Sequence, residues 1–271
     1  MLLYGLFAAV VAILATVAIE RLGGHRGGLI ATLPSTIVPA AVGIYERSTG
    51  GNDFTWAMAA VSIGMAVNCF FLWMWRAIPP RLPPAPAATR LGMMLALSLS
   101  GWALAAALSL GLMRLLRDAG TSPWMVGIVC TLGMGMTGVI TCLEHVPGPA
   151  GRRAVSVGVL GSRGLLAGFC IALAVWLASE GLPLVSGMAS VFPAIFLTTM
   201  VALWLSQGDA VQLGAVGPMM LGSTRVAAYA MFAALVFPAM GPWLGTSVAW
   251  ICSVLGVSMP AYLWLRSATT L

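Results

Sequence analysis

Phe54-Thr-Trp-Ala-Met-Ala-Ala-Val-Ser-Ile-Gly-Met-Ala-Val-Asn-Cys-Phe-Phe-Leu-Trp-Met-Trp75 is a run of twenty-two residues without a charge, bounded by Asp53 and Arg76. A helix rises 1.5 Å per residue, so about 20 apolar residues cross a hydrocarbon core of about 30 Å. The stretch therefore reads as a transmembrane helix over 54–76, and similar runs fill the rest of the chain. Reading apolar runs against polar breaks predicts nine spans, at 2–20, 28–46, 54–76, 91–116, 122–143, 163–180, 184–206, 210–237 and 245–265. The fold expected is an all-α integral membrane protein. Residues 1–120 hold spans 1–4, 121–160 hold span 5 and a loop, and 161–271 hold spans 6–9. Two connections are long: the proline-rich linker Ala77 to Arg90, which should be extended, and Glu144 to Arg163.

Composition supports this reading. Sixty per cent of the residues are hydrophobic and 7% are charged, against roughly a quarter charged in soluble domains. Met1 to Ile19 lacks a basic leader and a small-residue cleavage site, so it reads as the first span rather than a cleaved signal. All thirteen basic residues are arginine. Without lysine there is no Schiff base to a cofactor and no phosphate-loop lysine, and no cofactor is expected. The net charge of +6 lies mostly in short loops, where it orients the chain in the bilayer rather than binding nucleic acid. Arg21, Arg26, Arg76, Arg81, Arg90, Arg152, Arg153, Arg163 and Arg266 fall on one side, and Arg47, Arg114 and Arg117 on the other. The richer side should be cytoplasmic, with the N-terminus outside and the C-terminus inside.

An internal repeat carries the most information. Gly28-Leu-Ile-Ala-Thr-Leu-Pro34 matches Gly187-Met-Ala-Ser-Val-Phe-Pro193. The preceding spans match at LLYG (Leu2 to Gly5) and LLAG (Leu165 to Gly168), and the following spans share Gly64 and Gly222. Spans 4 and 9 end alike, at Arg117 and Arg266. Spans 1–3 thus resemble spans 6–8. Five spans separate the copies, so the second copy enters from the opposite side, with span 5 as connector. Inverted repeats are common in secondary transporters, which hold substrate near the midplane between the halves. Duplication is also a simple way to build a stable bundle.

The second half, with RGLLAGFCIALAVWL, SGMASVFPAIFL, SQGDA and GPMMLGS, resembles the GlpM-type family of small, four-helix bacterial inner-membrane proteins. The likeness covers about 100 residues, and reaches the first half through the repeat. It implies a bacterial inner (cytoplasmic) membrane location and no settled activity.

Arg225 is the main candidate for chemistry. It falls near the middle of span 8, where an arginine needs a cavity or a partner, and no acid lies at similar depth. It would bind an anionic substrate, or serve structurally by bonding helix carbonyls or reaching Glu144 or a lipid phosphate. Thr32, Ser35 and Thr36 share one face of span 2, beside Pro34 and Pro39, which free backbone carbonyls. Those hydroxyls could form a site or could satisfy the freed backbone. Asn68 and Tyr229 complete the candidate binding set, and Pro193 and Pro218 are the further helix-breaking candidates. Thr137, Thr141 and His145 line span 5, with His145 and Glu144 a possible proton relay. Cys130 and Met134, with Met136 nearby, raise Cu(I) binding, but methionine is ordinary apolar filler and no metal site is expected. The five cysteines, Cys69, Cys130, Cys142, Cys170 and Cys252, read as inert thiols.

No enzyme signature is present. The expected function is transport or translocation of a small anion between spans 2, 3, 7 and 8. The alternatives are a membrane subunit anchoring a larger complex, or a lipid-handling protein. Expected partners are the bilayer, the solute and a second copy or larger complex.

Overall fold

A computed structural model describes residues 2–22, 37–143, 157–207 and 212–268. Their order is α1 (Leu2–Leu22), α2 (Ile37–Arg47), α3 (Gly51–Ala77), a 3₁₀ turn (Pro79–Arg81), α4 (Ala87–Asp118), α5 (Pro123–Leu143), α6 (Val157–Ser179), α7 (Pro183–Ser190), α8 (Ala194–Gln207), α9 (Gln212–Ser253), a π-helical turn (Val254–Ser258) and α10 (Met259–Ala268). No strand occurs among the described residues. Six of these segments are long and apolar enough to cross a membrane: α3, α4, α5, Gly161–Ser179, Pro183–Leu205 and Val216–Trp264. Leu2–Leu14 is a shorter apolar stretch.

α3 is the central helix. It is buried along most of its length and packs against α9, α7, α5 and α4. Asp53 in its first turn and Arg76 in its last complement the helix dipole. Asp53 also pairs with Arg117 at the far end of α4, 2.8 Å away, which joins the open ends of the α3–α4 hairpin. The Arg117 guanidinium lies 5.9 Å from the Trp56 ring centroid. Both charges are partly exposed, so their pairing adds at most about 1 kcal/mol. The outer face of α4 leaves Leu97, Leu104, Leu108, Leu112 and Leu115 uncovered, which suits a helix facing hydrocarbon.

Small residues set the closest helix crossings, as expected where lipid removes the hydrophobic drive between helices. α1 crosses α6 at Gly5 and Gly168. A Cβ on Gly5 would lie 2.6 Å from the Gly168 carbonyl oxygen, and one on Gly168 would lie 2.8 Å from that of Gly5. α7 crosses α3 at Gly187, and α5 crosses α9 at Gly138, close to the Leu221 backbone. At one end of the core, Phe54 stacks on Phe237 at 5.4 Å, and Tyr45 meets both edge-on.

Three features differ from the spans read in sequence. Span 7 is two helices, α7 and α8, interrupted at Val191-Phe192-Pro193. Spans 8 and 9 meet without a long loop: α9 is two helices joined at a kink at Gly241 (φ 74°, ψ 166°), between Pro238 and Pro242, and span 9 runs past Ser253 through the π-helical turn into α10. The chain reverses there. The Ser253 hydroxyl donates to the Arg225 carbonyl at 2.8 Å, although a straight helix would separate these residues by about 42 Å. Only glycine adopts the Gly241 conformation without strain. Finally, α6 begins at Val157, so Arg163 is not a loop residue. It is buried, with Nε and one terminal nitrogen donating to Thr198 Oγ1 (2.9 Å) and Thr199 Oγ1 (2.8 Å) on α8.

Candidate functional site

Arg225 lies in the 212–240 arm of α9 and is 7% exposed. Its Nε–H donates to the carbonyl of Gly222, one turn back, at 3.2 Å. A Cβ on Gly222 would stand 2.5 Å from a terminal guanidinium nitrogen. Glycine at 222 therefore makes the room that lets the guanidinium fold along its own helix. A guanidinium carries five N–H donors, and this bond uses one. Among the described residues no carboxylate pairs with Arg225; the ion pair found there is Arg117–Asp53.

The returning 242–253 arm covers this face. Ser253 bonds the Arg225 carbonyl, and one helical step further along, fully buried Tyr229 places its hydroxyl 3.4 Å from Thr246 Oγ1. Immediately after Ser253 the chain makes its π-helical turn, in which the Met259 N–H bonds the Val254 carbonyl. Such turns occur often at functional sites. On the side facing α5, Thr224 is buried with no partner for its Oγ1 and lies beside Gly135. The site is thus one buried guanidinium folded along its own helix, with Ser253 bonded to the Arg225 main-chain carbonyl and the Tyr229 and Thr246 hydroxyls paired one turn further on.

The sequence-derived candidates separate. Arg225 and Tyr229 come together on one face against the 242–253 arm. Asn68 points elsewhere and is already engaged. Its Nδ2 donates to the Val191 carbonyl at 2.8 Å, and its Oδ1 accepts from Trp102 Nε1 at 2.8 Å. It therefore holds α3 to α4 and to the interruption of span 7. Pro193 sits at that interruption and is buried, Pro39 is buried in α2, and Pro218 is exposed within α9. Thr32, Pro34, Ser35, Thr36, Glu144 and His145 lie outside the described residues. Thr137 and Thr141 turn their hydroxyls onto carbonyls of their own helix. Among the described residues no cluster of three or more histidines, cysteines or acids could hold a metal. Met136, near the Cys130–Met134 pair, is exposed.

Ser253, Thr246 and the π-turn belong to the site but carry no sequence signal, because single hydroxyls are common in apolar helices. In comparisons with family models, curated proteins and solved structures, the chain matches none of them.

Proposed function

We propose that the protein is a membrane transporter or translocase for a small anion, with Arg225 as the counter-charge. The observation that carries this reading is a buried guanidinium that no carboxylate neutralises among the described residues. An uncompensated charge at membrane depth is costly, and such residues are usually tied to function. Ser253 bonds the Arg225 main chain, and the Tyr229 and Thr246 hydroxyls pair one turn further along the same two arms. Thr32, Ser35 and Thr36 remain part of the proposed site by sequence.

The architecture we propose is nine spans related by an inverted repeat. Gly5 and Gly168 are equivalent positions of the two copies, and they contact each other reciprocally, as equivalents lying beside a two-fold axis do. α3 and the 212–240 arm are also equivalents in close contact, and α5 packs on both. Val216–Trp264 is 49 residues long, far more than one crossing needs, so its two arms count as two spans. α7 and α8 count as one. The orientation has the N-terminus outside and the C-terminus cytoplasmic, in a bacterial inner membrane.

The test is thermal unfolding of the purified protein with phosphate, sulfate, chloride and small carboxylates, for wild type and Arg225→Gln. Binding to the folded state at 100 times Kd adds about 2.7 kcal/mol of stability. A concentration-dependent rise with one anion, abolished in the variant, is expected, as is loss of uptake of that anion into proteoliposomes. Full uptake by Arg225→Gln would overturn the reading. No anion response, together with a stoichiometric protein partner on gentle purification, would favour the anchoring role.

A further inference from the structure

α3, α5 and α9 leave between them a lateral groove of about 580 Å³, separate from the Arg225–Ser253 face. Phe70 and Trp73 of α3, Cys130, Gly133 and Thr141 of α5, and Met220 of α9 are among its walls. Phe70 and Trp73 are 40% and 50% exposed at its mouth. We propose that this groove holds one acyl chain of an anionic phospholipid, with the headgroup at the Arg76 end of α3.

Gly133 is the first argument. Two other glycines of α5 have packing reasons: added Cβ atoms at Gly127 and Gly138 would clash with Met231 and Leu221 of α9, while one at Gly135 would only touch Thr224. A Cβ on Gly133 meets nothing within 4 Å. No neighbour in the described structure requires this glycine, yet its missing side chain deepens the groove.

Length is the second. From Cys130 to Thr141 the groove follows α5 for about 16 Å, close to the ~15 Å of one leaflet, half of a ~30 Å core. A slot of that length running along the helices fits a single extended tail. The hydroxyls of Thr137 and Thr141 bond their own helix, so the wall asks for no polar partner.

Charge at one end is the third. Trp73 lies one turn before Arg76, and aromatic residues of this kind sit at headgroup level. Beyond it, residues 76–90 hold Arg76, Arg81 and Arg90 and no acid. Arg81 donates to the Ala77 carbonyl, and Arg90 donates to the Pro79 carbonyl at 2.8 Å, which keeps both at this end of α3. Basic residues just beyond a span attract anionic headgroups.

The test uses delipidated protein in detergent with added phosphatidylglycerol or phosphatidylcholine, read by unfolding midpoint and native mass spectrometry. The variants are Gly133→Leu, which fills the groove, and Gly92→Leu, a control on α4 where a side chain also meets nothing. Wild type and Gly92→Leu should retain one phosphatidylglycerol and gain several degrees in midpoint. Gly133→Leu should do neither, and phosphatidylcholine should bind at least tenfold more weakly. Equal retention by Gly133→Leu, equal binding of both lipids, or no retention by wild type would each overturn the proposal. Should Gly133→Leu fail to fold, labelling of Cys130 in wild type by an apolar thiol reagent decides: phosphatidylglycerol should slow it severalfold, and an unchanged rate would overturn the proposal. None of these readouts depends on Arg225.

Discussion

Gly187→Ala lowers the unfolding midpoint sharply, and Gly187→Val abolishes the folded monodisperse protein: this is the largest effect expected of any single substitution. At Gly187, α7 lies directly on the backbone of α3. A Cβ there would stand 2.1 Å from the Ala57 carbonyl oxygen and 2.8 Å from the Ala60 Cβ. A flexible side chain could move aside, but a carbonyl inside a buried helix cannot do so without moving the helix. Overpacking a tight core costs about 1–3 kcal/mol and occasionally more. Here the obstacle is main chain, so the alanine variant belongs at the upper end of that range and valine beyond it. Gly111→Ala is the control. A Cβ there meets nothing within 4 Å, and the higher helix propensity of alanine should leave stability unchanged or raised by up to about 1 kcal/mol. Chemical denaturation in detergent, followed by circular dichroism and size exclusion, reads both. An unaltered midpoint for Gly187→Ala would show that α7 and α3 do not cross at this distance.

The same residue explains part of the repeat that the sequence displays. Glycine followed six positions later by proline is, at 187–193, a close helix crossing followed by a helix interruption. Both properties are local and survive in sequence as single letters. Elsewhere legibility followed punctuation. α3 was read as 54–76 and runs Gly51–Ala77, because Asp53, Arg76 and a proline-rich linker mark its ends. Between spans 8 and 9 the sequence places a gap at 238–244. The structure breaks the helix there, at Gly241, and joins the two helices without a loop. A charge in an apolar chain suggests a loop, but Arg163 lies within α6. Two threonine hydroxyls on α8 accept its hydrogen bonds and let it sit inside α6. The depth of Arg225 could be read from the apolar residues around it. The pairings of Ser253 with the Arg225 main chain and of Thr246 with Tyr229 could not, because they join residues 28 and 17 positions apart that become adjacent only through the turn at Gly241.

Asn68→Leu should lower stability by about 2 kcal/mol while leaving any anion response of Arg225 intact. Asn68 is 2% exposed, and leucine fills nearly the same volume, so packing is conserved and the polar bonds are what change. Two partners lose their bonds: the Val191 carbonyl and the Trp102 indole N–H. A buried group left unsatisfied costs about 1–3 kcal/mol. Polar bonds between membrane helices average only about 0.6 kcal/mol, because the separated helices also find partners. The Val191 carbonyl favours the larger figure. It sits at the interruption between α7 and α8, where the N–H groups of Val191, Phe192 and Ala194 donate to the carbonyls of Met188, Ala189 and Phe192, and the Asn68 amide donates to it. Trp102→Phe removes the N–H and leaves Asn68 Oδ1 unpaired, while the ring can keep its edge contact with Phe192, now 5.2 Å away. The double variant with Asn68→Leu should therefore cost less than the sum of the singles, by 0.5 kcal/mol or more. Amide exchange at 188–194 should accelerate in Asn68→Leu and change little at 222–229. If exchange accelerates equally in both segments, or the anion response disappears with Asn68, the residue acts on the Arg225 site itself, and its role as a clamp on the interrupted helix is wrong.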